Sequence, residues 1–137
     1  MKNIVLGYDD GEASQRALER AAQLAKAFQS ELVVTSVVPI MTSIGRSGGP
    51  VDPTDPPSKH AAELAHAREY LDAQGVAADY QPAIGNPADT IVELAQQRGA
   101  DLIIVGSHEP NVLERLLGQS VSESVSHKAH CDVLIVH

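Results

Sequence analysis

Short, β-branched apolar runs alternate with segments whose apolar residues recur every three or four positions. This alternation restricts the chain to an α/β fold on a largely parallel sheet. The runs fall at residues 3–8, Glu31–Val38, 78–84, 101–106 and Asp132–Val136. Between the first two, Ala17, Leu18, Ala21, Ala22, Ala25 and Phe28 form one helical stripe. A second helix is predicted over 58–74, with Ala61, Leu64, Ala65, Arg68 and Leu71 on one face and Gly75 ending it. The third starts at Gly85-Asn86-Pro87-Ala88-Asp89, with Asn86 as cap and Pro87 in the first turn. It turns Ala88, Ile91, Val92 and Ala95 inward and stops at Gly99. A helical turn is expected over 112–117 and a fourth helix over 120–128. Five strands and four helices suffice for an open, doubly wound sheet with helices on both faces. Such sheets bind ligands at the carboxyl ends of the strands, where strand order reverses. The segments concerned are Asp9-Asp10-Gly11, Val37-Val38-Pro39 and Gly106-Ser107-His108.

The chain's 137 residues are read as a single domain, residues 1–137, and the 43% hydrophobic content excludes general disorder. Ten Lys+Arg against 18 Asp+Glu give a net charge of −8, and there is one Phe and no Trp. That combination lacks the charge and the stacking platform of a nucleic-acid binder. No run approaches the roughly 18 apolar residues of a membrane span. The opening Met1-Lys2-Asn3-Ile4-Val5-Leu6 lacks a signal peptide's long apolar region. A single cysteine cannot form an internal disulfide, which fits a reducing cytoplasm. Residues 39–57 hold Gly45, Gly48, Gly49 and five prolines and are predicted to be a flexible loop.

Gly106-Ser107-His108-Glu109-Pro110-Asn111, continuing to Gly118-Gln119-Ser120-Val121-Ser122, leaves a strand and enters a helix. Glycines let backbone N–H groups approach an anion, and a helix start adds positive partial charge, so such a passage suits phosphate. Read without a ligand, Gly106 simply ends a strand and Ser120 caps a helix.

The chain resembles the universal stress protein family. The likeness lies in Ile4-Val5-Leu6-Gly7-Tyr8-Asp9, in Gly85-Asn86-Pro87-Ala88-Asp89-Thr90-Ile91, in Ala100 through His108, and in Ser120 through Val125 with Cys131 through Val136. It covers everything except the 39–57 loop. The resemblance implies strand order 3-2-1-4-5 and a homodimer through the Asp132–Val136 edge strand. It also implies a division between members that bind ATP or related nucleotides and members that do not. In the binders a glycine is followed after two residues by another, and after nine more by glycine and Ser or Thr. Here Gly106 matches the first glycine and Ser120 the final Ser, followed by Val121. Glu109 and Gln119 replace the other two glycines, and Gly118 lies one position early. Asp9 matches an acidic position near the nucleoside, and Val37 a position that contacts adenine. If a nucleotide binds, the implied contacts are Asp9, Val37, Gly106, Ser107, His108, Gly118, Ser120 and Val121.

The two replacements disfavour ATP. Gln119 brings a side chain where close backbone approach is needed. Glu109 brings negative charge towards a triphosphate, a repulsion of about 4 kcal/mol at 4 Å and an effective dielectric of 20. AMP, cyclic AMP or a nucleoside suffers less.

No metal site is expected. His127, His130 and Cys131 are close in sequence but make no complete ligand set. Asp9 and Asp10, which could hold Mg²⁺ beside phosphates, are read as turn-forming acids at a helix start. His60 and His66 are six residues apart, off one helical face, and are assigned no role. There is no Gly-x-Ser-x-Gly elbow, Walker motif or Cys-x-x-Cys. The expected function is a non-catalytic cytoplasmic stress-response module acting as a homodimer without tight ATP binding, with a protein partner in prospect. The alternatives are a nucleotide switch and, more weakly, a slow nucleotide hydrolase using His108 or Asp9 as base.

Overall fold

The computed structural model describes residues 2–38, 57–107 and 121–137. Five strands, β1 (Asn3–Gly7), β2 (Glu31–Val38), β3 (Asp79–Ile84), β4 (Leu102–Gly106) and β5 (Asp132–Val136), alternate with four helices. The helices are α1 (Glu12–Phe28), α2 (Pro57–Ala73), α3 (Pro87–Arg98) and α4 (Val121–Lys128). The sheet order is β3-β2-β1-β4-β5 and every pairing is parallel, as the family resemblance implied.

Alternate residues of a strand face opposite sides of a sheet. Ile4 and Leu6 of β1 therefore join Ala17, Leu18 and Ala21 of α1 and Leu64, Ala67 and Leu71 of α2 in one apolar layer. Val5 faces the other way, towards Ala88, Ile91 and Val92 of α3 and Val125 of α4. Ile4, Leu6, Ile103 and Ile104 are wholly buried. At about 1.5–3 kcal/mol for each such side chain, the two central strands anchor the fold.

The start of α3 forms as its sequence requires. Asn86 accepts a hydrogen bond from the Asp89 N–H at 3.0 Å, and Pro87 opens the helix. Gly99 closes it in the left-handed region, φ 62°.

The strands at 3–8, 78–84 and 101–106 are each one residue shorter than predicted. Tyr8 keeps a ladder bond to the Thr35 carbonyl at 3.0 Å although β1 ends at Gly7. Pro57, assigned to the loop, is the first residue of α2, where a missing N–H costs nothing. Phe28 is 53% exposed as the last residue of α1, just before the chain turns through Gln29 at φ 53°, and so leaves the predicted stripe. On α2 the buried face is His60, Glu63, Leu64, Ala67 and Leu71, while Ala61, Ala65 and Arg68 are exposed. Arg68 instead lies 5.6 Å over the Tyr80 ring. The rest of the 39–57 loop, the turn at 112–117 and Ser120 lie outside the described residues.

Candidate functional site

The carboxyl ends of β1, β2 and β4 border a cavity of about 550 Å³. It lies where the chain order reverses: β1 leads to β2 on one side and pairs with β4 on the other. Gly11, Glu12, Ala13 and Ser14 at the start of α1, Pro87 at the start of α3 and Val121 at the start of α4 all line it. Helix starts carry positive partial charge, so three such ends favour an anionic group.

The β1–α1 turn is held by its own acids. Asp9 accepts the Gly11 N–H at Oδ1, 2.9 Å, and donates its own N–H to Ser14 Oγ, 2.9 Å. Asp10 adopts φ 66° and places Oδ2 2.7 Å from His66 Nδ1. Tyr8 accepts from Gln15 Nε2 at 2.6 Å, and burial together with the nearby Asp10 carboxylate pushes its phenol well above the ordinary range. Gly106 packs directly on this turn: a Cβ there would stand 2.6 Å from Ala13 C and from Ser14 N. The Ser107 N–H continues the ladder to the Val136 carbonyl at 2.7 Å.

The polar end of the cavity is a three-cornered cluster. Ser36, at the end of β2, places Oγ 2.6 Å from His60 Nδ1 and 3.1 Å from Glu63 Oε1. His60 Nδ1 lies 2.7 Å from Glu63 Oε1. All three residues are buried and line the cavity. Glu63 Oε2 is buried and has no hydrogen-bond partner among the described residues. Burial raises the Glu63 carboxyl above the usual carboxylate range, although Ser36 and His60 pull the other way. A serine–histidine–acid relay uses the two ring nitrogens separately, one for the serine and one for the acid. Here both oxygens face the same Nδ1.

The sequence profile of the universal stress protein family matches residues 1–137. The chain belongs to the universal stress protein family. It is 34% identical to a universal stress protein of Mycobacterium tuberculosis over 141 residues, 99% of this chain and 96% of the relative. It is 33% identical to one of Methanocaldococcus jannaschii, over 98% of this chain and 81% of the relative. A universal stress protein solved in complex with cAMP superposes with a TM-score of 0.77 at 30% identity, covering 99% of this chain and 97% of its own. An Archaeoglobus fulgidus universal stress protein in complex with dAMP has the same fold, TM-score 0.77, at 21% identity over 100% of this chain and 98% of its own.

Of the contacts that likeness to the universal stress proteins implied, Asp9, Val37, Gly106, Ser107 and Val121 are brought together around the cavity. His108, Gly118 and Ser120 lie outside the described residues, as do Glu109 and Gln119. Among the described residues no three His, Cys, Asp or Glu side chains gather as metal ligands. Ser36, His60 and Glu63 were missed as site residues. The usable signal was spacing: 60, 63, 64, 67 and 71 follow a helical stripe better than 61, 64, 65, 68 and 71, and that stripe begins with His and Glu. His66, also assigned nothing, pairs with Asp10.

Proposed function

We propose that this universal stress protein is a non-catalytic regulatory module that binds a nucleotide of the AMP or cyclic AMP class, without tight ATP binding. The observation that carries this reading is the cavity, bordered by the ends of β1, β2 and β4 and by three helix starts. Its volume of about 550 Å³ falls within the range of small-molecule sites. The relative solved with cAMP supports the ligand class. The lining supports a ligand of low charge, since Asp9, Glu12 and Glu63 line it along with Lys59. A triphosphate concentrates more negative charge among these acids than a monophosphate does. The single shared nitrogen of His60 supports a binding role over a hydrolytic one.

Isothermal titration of cAMP, AMP and ATP into protein freed of carried-over ligand tests the reading. Micromolar binding of cAMP or AMP with weaker ATP is expected. Failure of all three to bind up to millimolar concentration overturns it.

A homodimer through β5, in the cytoplasm, is part of the same proposal. The two sheet edges differ. β3 carries Pro82, which has no N–H to donate, and its side chains are largely exposed. β5 presents Val133, Leu134, Ile135 and Val136, all partly buried and free of proline. An apolar edge of that kind calls for cover. Light scattering at micromolar concentration should give twice the chain mass, and a monomer would remove this part.

A further inference from the structure

Glu63 is an unusual group to find in a cavity lined by three helix starts. It is 1% exposed. Its Oε1 accepts the Ser36 hydroxyl and faces His60 Nδ1, and its Oε2 has no partner among the described residues. A buried carboxylate oxygen with no donor is costly, and a proton on Oε2 removes the charge that makes it so. The groups around it are Ser36 on β2, Lys59 and His60 on α2, and Tyr8 and Asp9 at the end of β1, with Glu12 of α1 lining the same space. The Ser36 hydroxyl, His60 and Lys59 favour the ionised form. Burial, then Asp9, and any incoming anion oppose it.

We propose that Glu63 is the charge-selectivity residue of this cavity: as a neutral acid it admits a monoanionic nucleotide, and as a carboxylate it repels one. The inference rests on the nucleotide reading above. It requires that an anion and a proton enter together. Binding then takes up a proton, and affinity rises as pH falls. A neutral nucleoside in the same cavity feels no such linkage.

Cyclic AMP is the suitable probe, because its phosphodiester keeps a single charge where a monoester phosphate itself titrates near pH 6. Adenosine is the neutral control. Both are titrated into wild type and Glu63→Gln at about pH 5 and about pH 8, on either side of a carboxyl raised by burial. Wild type should lose roughly fivefold to tenfold in cAMP affinity between the two, the factor for one like charge at about 10 Å in a partly solvated cavity. Glu63→Gln should bind cAMP at the higher pH as tightly as wild type does at the lower. Adenosine should show no slope in either protein. The wild-type protein alone gives a second reading: titrations in buffers of different ionisation enthalpy should register proton uptake with cAMP and none with adenosine.

Equal slopes for cAMP and adenosine overturn the inference. So does a cAMP slope that persists in Glu63→Gln and disappears in His60→Gln, which assigns the linkage to the imidazole. Weaker cAMP binding by Glu63→Gln than by wild type at the higher pH also overturns it, because the carboxylate would then be an acceptor for the ligand. Adenosine and cAMP binding without any Glu63 dependence removes this inference alone. No binding of either removes the nucleotide reading together with it.

Discussion

Gly106 and Ala13 meet so closely that one added carbon has no room: a Cβ on Gly106 would lie 2.6 Å from the Ala13 carbonyl carbon and 2.9 Å from its oxygen. The first turn of α1 therefore rests on the end of β4, and both line the cavity. Gly106 is not in the left-handed region, so contact, not backbone conformation, demands glycine here. Both opposing atoms are backbone and cannot rotate away.

Gly106→Ala should accordingly destabilise the protein by about 2–3 kcal/mol, the upper range for overpacking. In a urea melt the midpoint should fall with little change in slope. A loss below about 0.5 kcal/mol would show that α1 can shift to make room.

Asp101 offers a pH test. Its Oδ2 accepts the N–H groups of Lys2, 2.8 Å, and Asn3, 3.1 Å. These backbone bonds, that of Lys2 first, hold the carboxyl below the usual aspartate range. A carboxyl more acidic in the folded chain contributes stability above its unfolded pKa of about 3.9, and that stability is lost as pH falls through the folded value. Asp101→Asn should be less stable than wild type near neutrality, and the gap should close in acid. Thermal melts at several pH values would show it, and a gap independent of pH would count against the assignment.

Glu63 predicts the opposite slope. Burial raises its carboxyl, so its favourable contribution is complete below the unfolded pKa of about 4.3 and is lost as pH rises through the folded value. Glu63→Gln escapes that loss. Its melting temperature relative to wild type should climb as pH rises, and a constant difference would mean that the carboxyl titrates normally.

Phe28 and Leu71 separate surface from core. Phe28 is 53% exposed, so Phe28→Ser should change stability by less than about 1 kcal/mol. Leu71 is fully buried between α2 and the sheet, so Leu71→Ala should cost about 2–5 kcal/mol. Comparable losses at the two positions would contradict the packing described.

Much of this was legible from residues alone. Runs such as Ile4-Val5-Leu6 and Leu102 through Val105 are apolar on both faces because helices cover both sides of a parallel sheet, and few other folds bury short strands so completely. The cap at Asn86 was equally readable, since Asn-Pro followed by Asp satisfies a helix start by local chemistry. α2 resisted for a physical reason. Alanines surround the helix, so apolar spacing scarcely distinguishes its faces, and the decisive buried positions hold His60 and Glu63. Their common partner Ser36 is 24 residues from His60. Nothing in local spacing connects them. The packing of Gly106 on Ala13 is similarly non-local, so a glycine that the family resemblance matched to a nucleotide-binding motif is seen to serve as a spacer between a strand and a helix.

Pro82 has a consequence for how many copies can join. A sheet extends wherever a margin offers donors and acceptors in sequence, and a parallel sheet has two margins. At the β3 margin Pro82 interrupts the row of donors. In the homodimer proposed above, two copies meeting through β5 about a twofold axis would use up the other margin on both and leave outward only margins broken by Pro82. Such an assembly would terminate itself, because neither outward margin offers a third chain an unbroken row of donors.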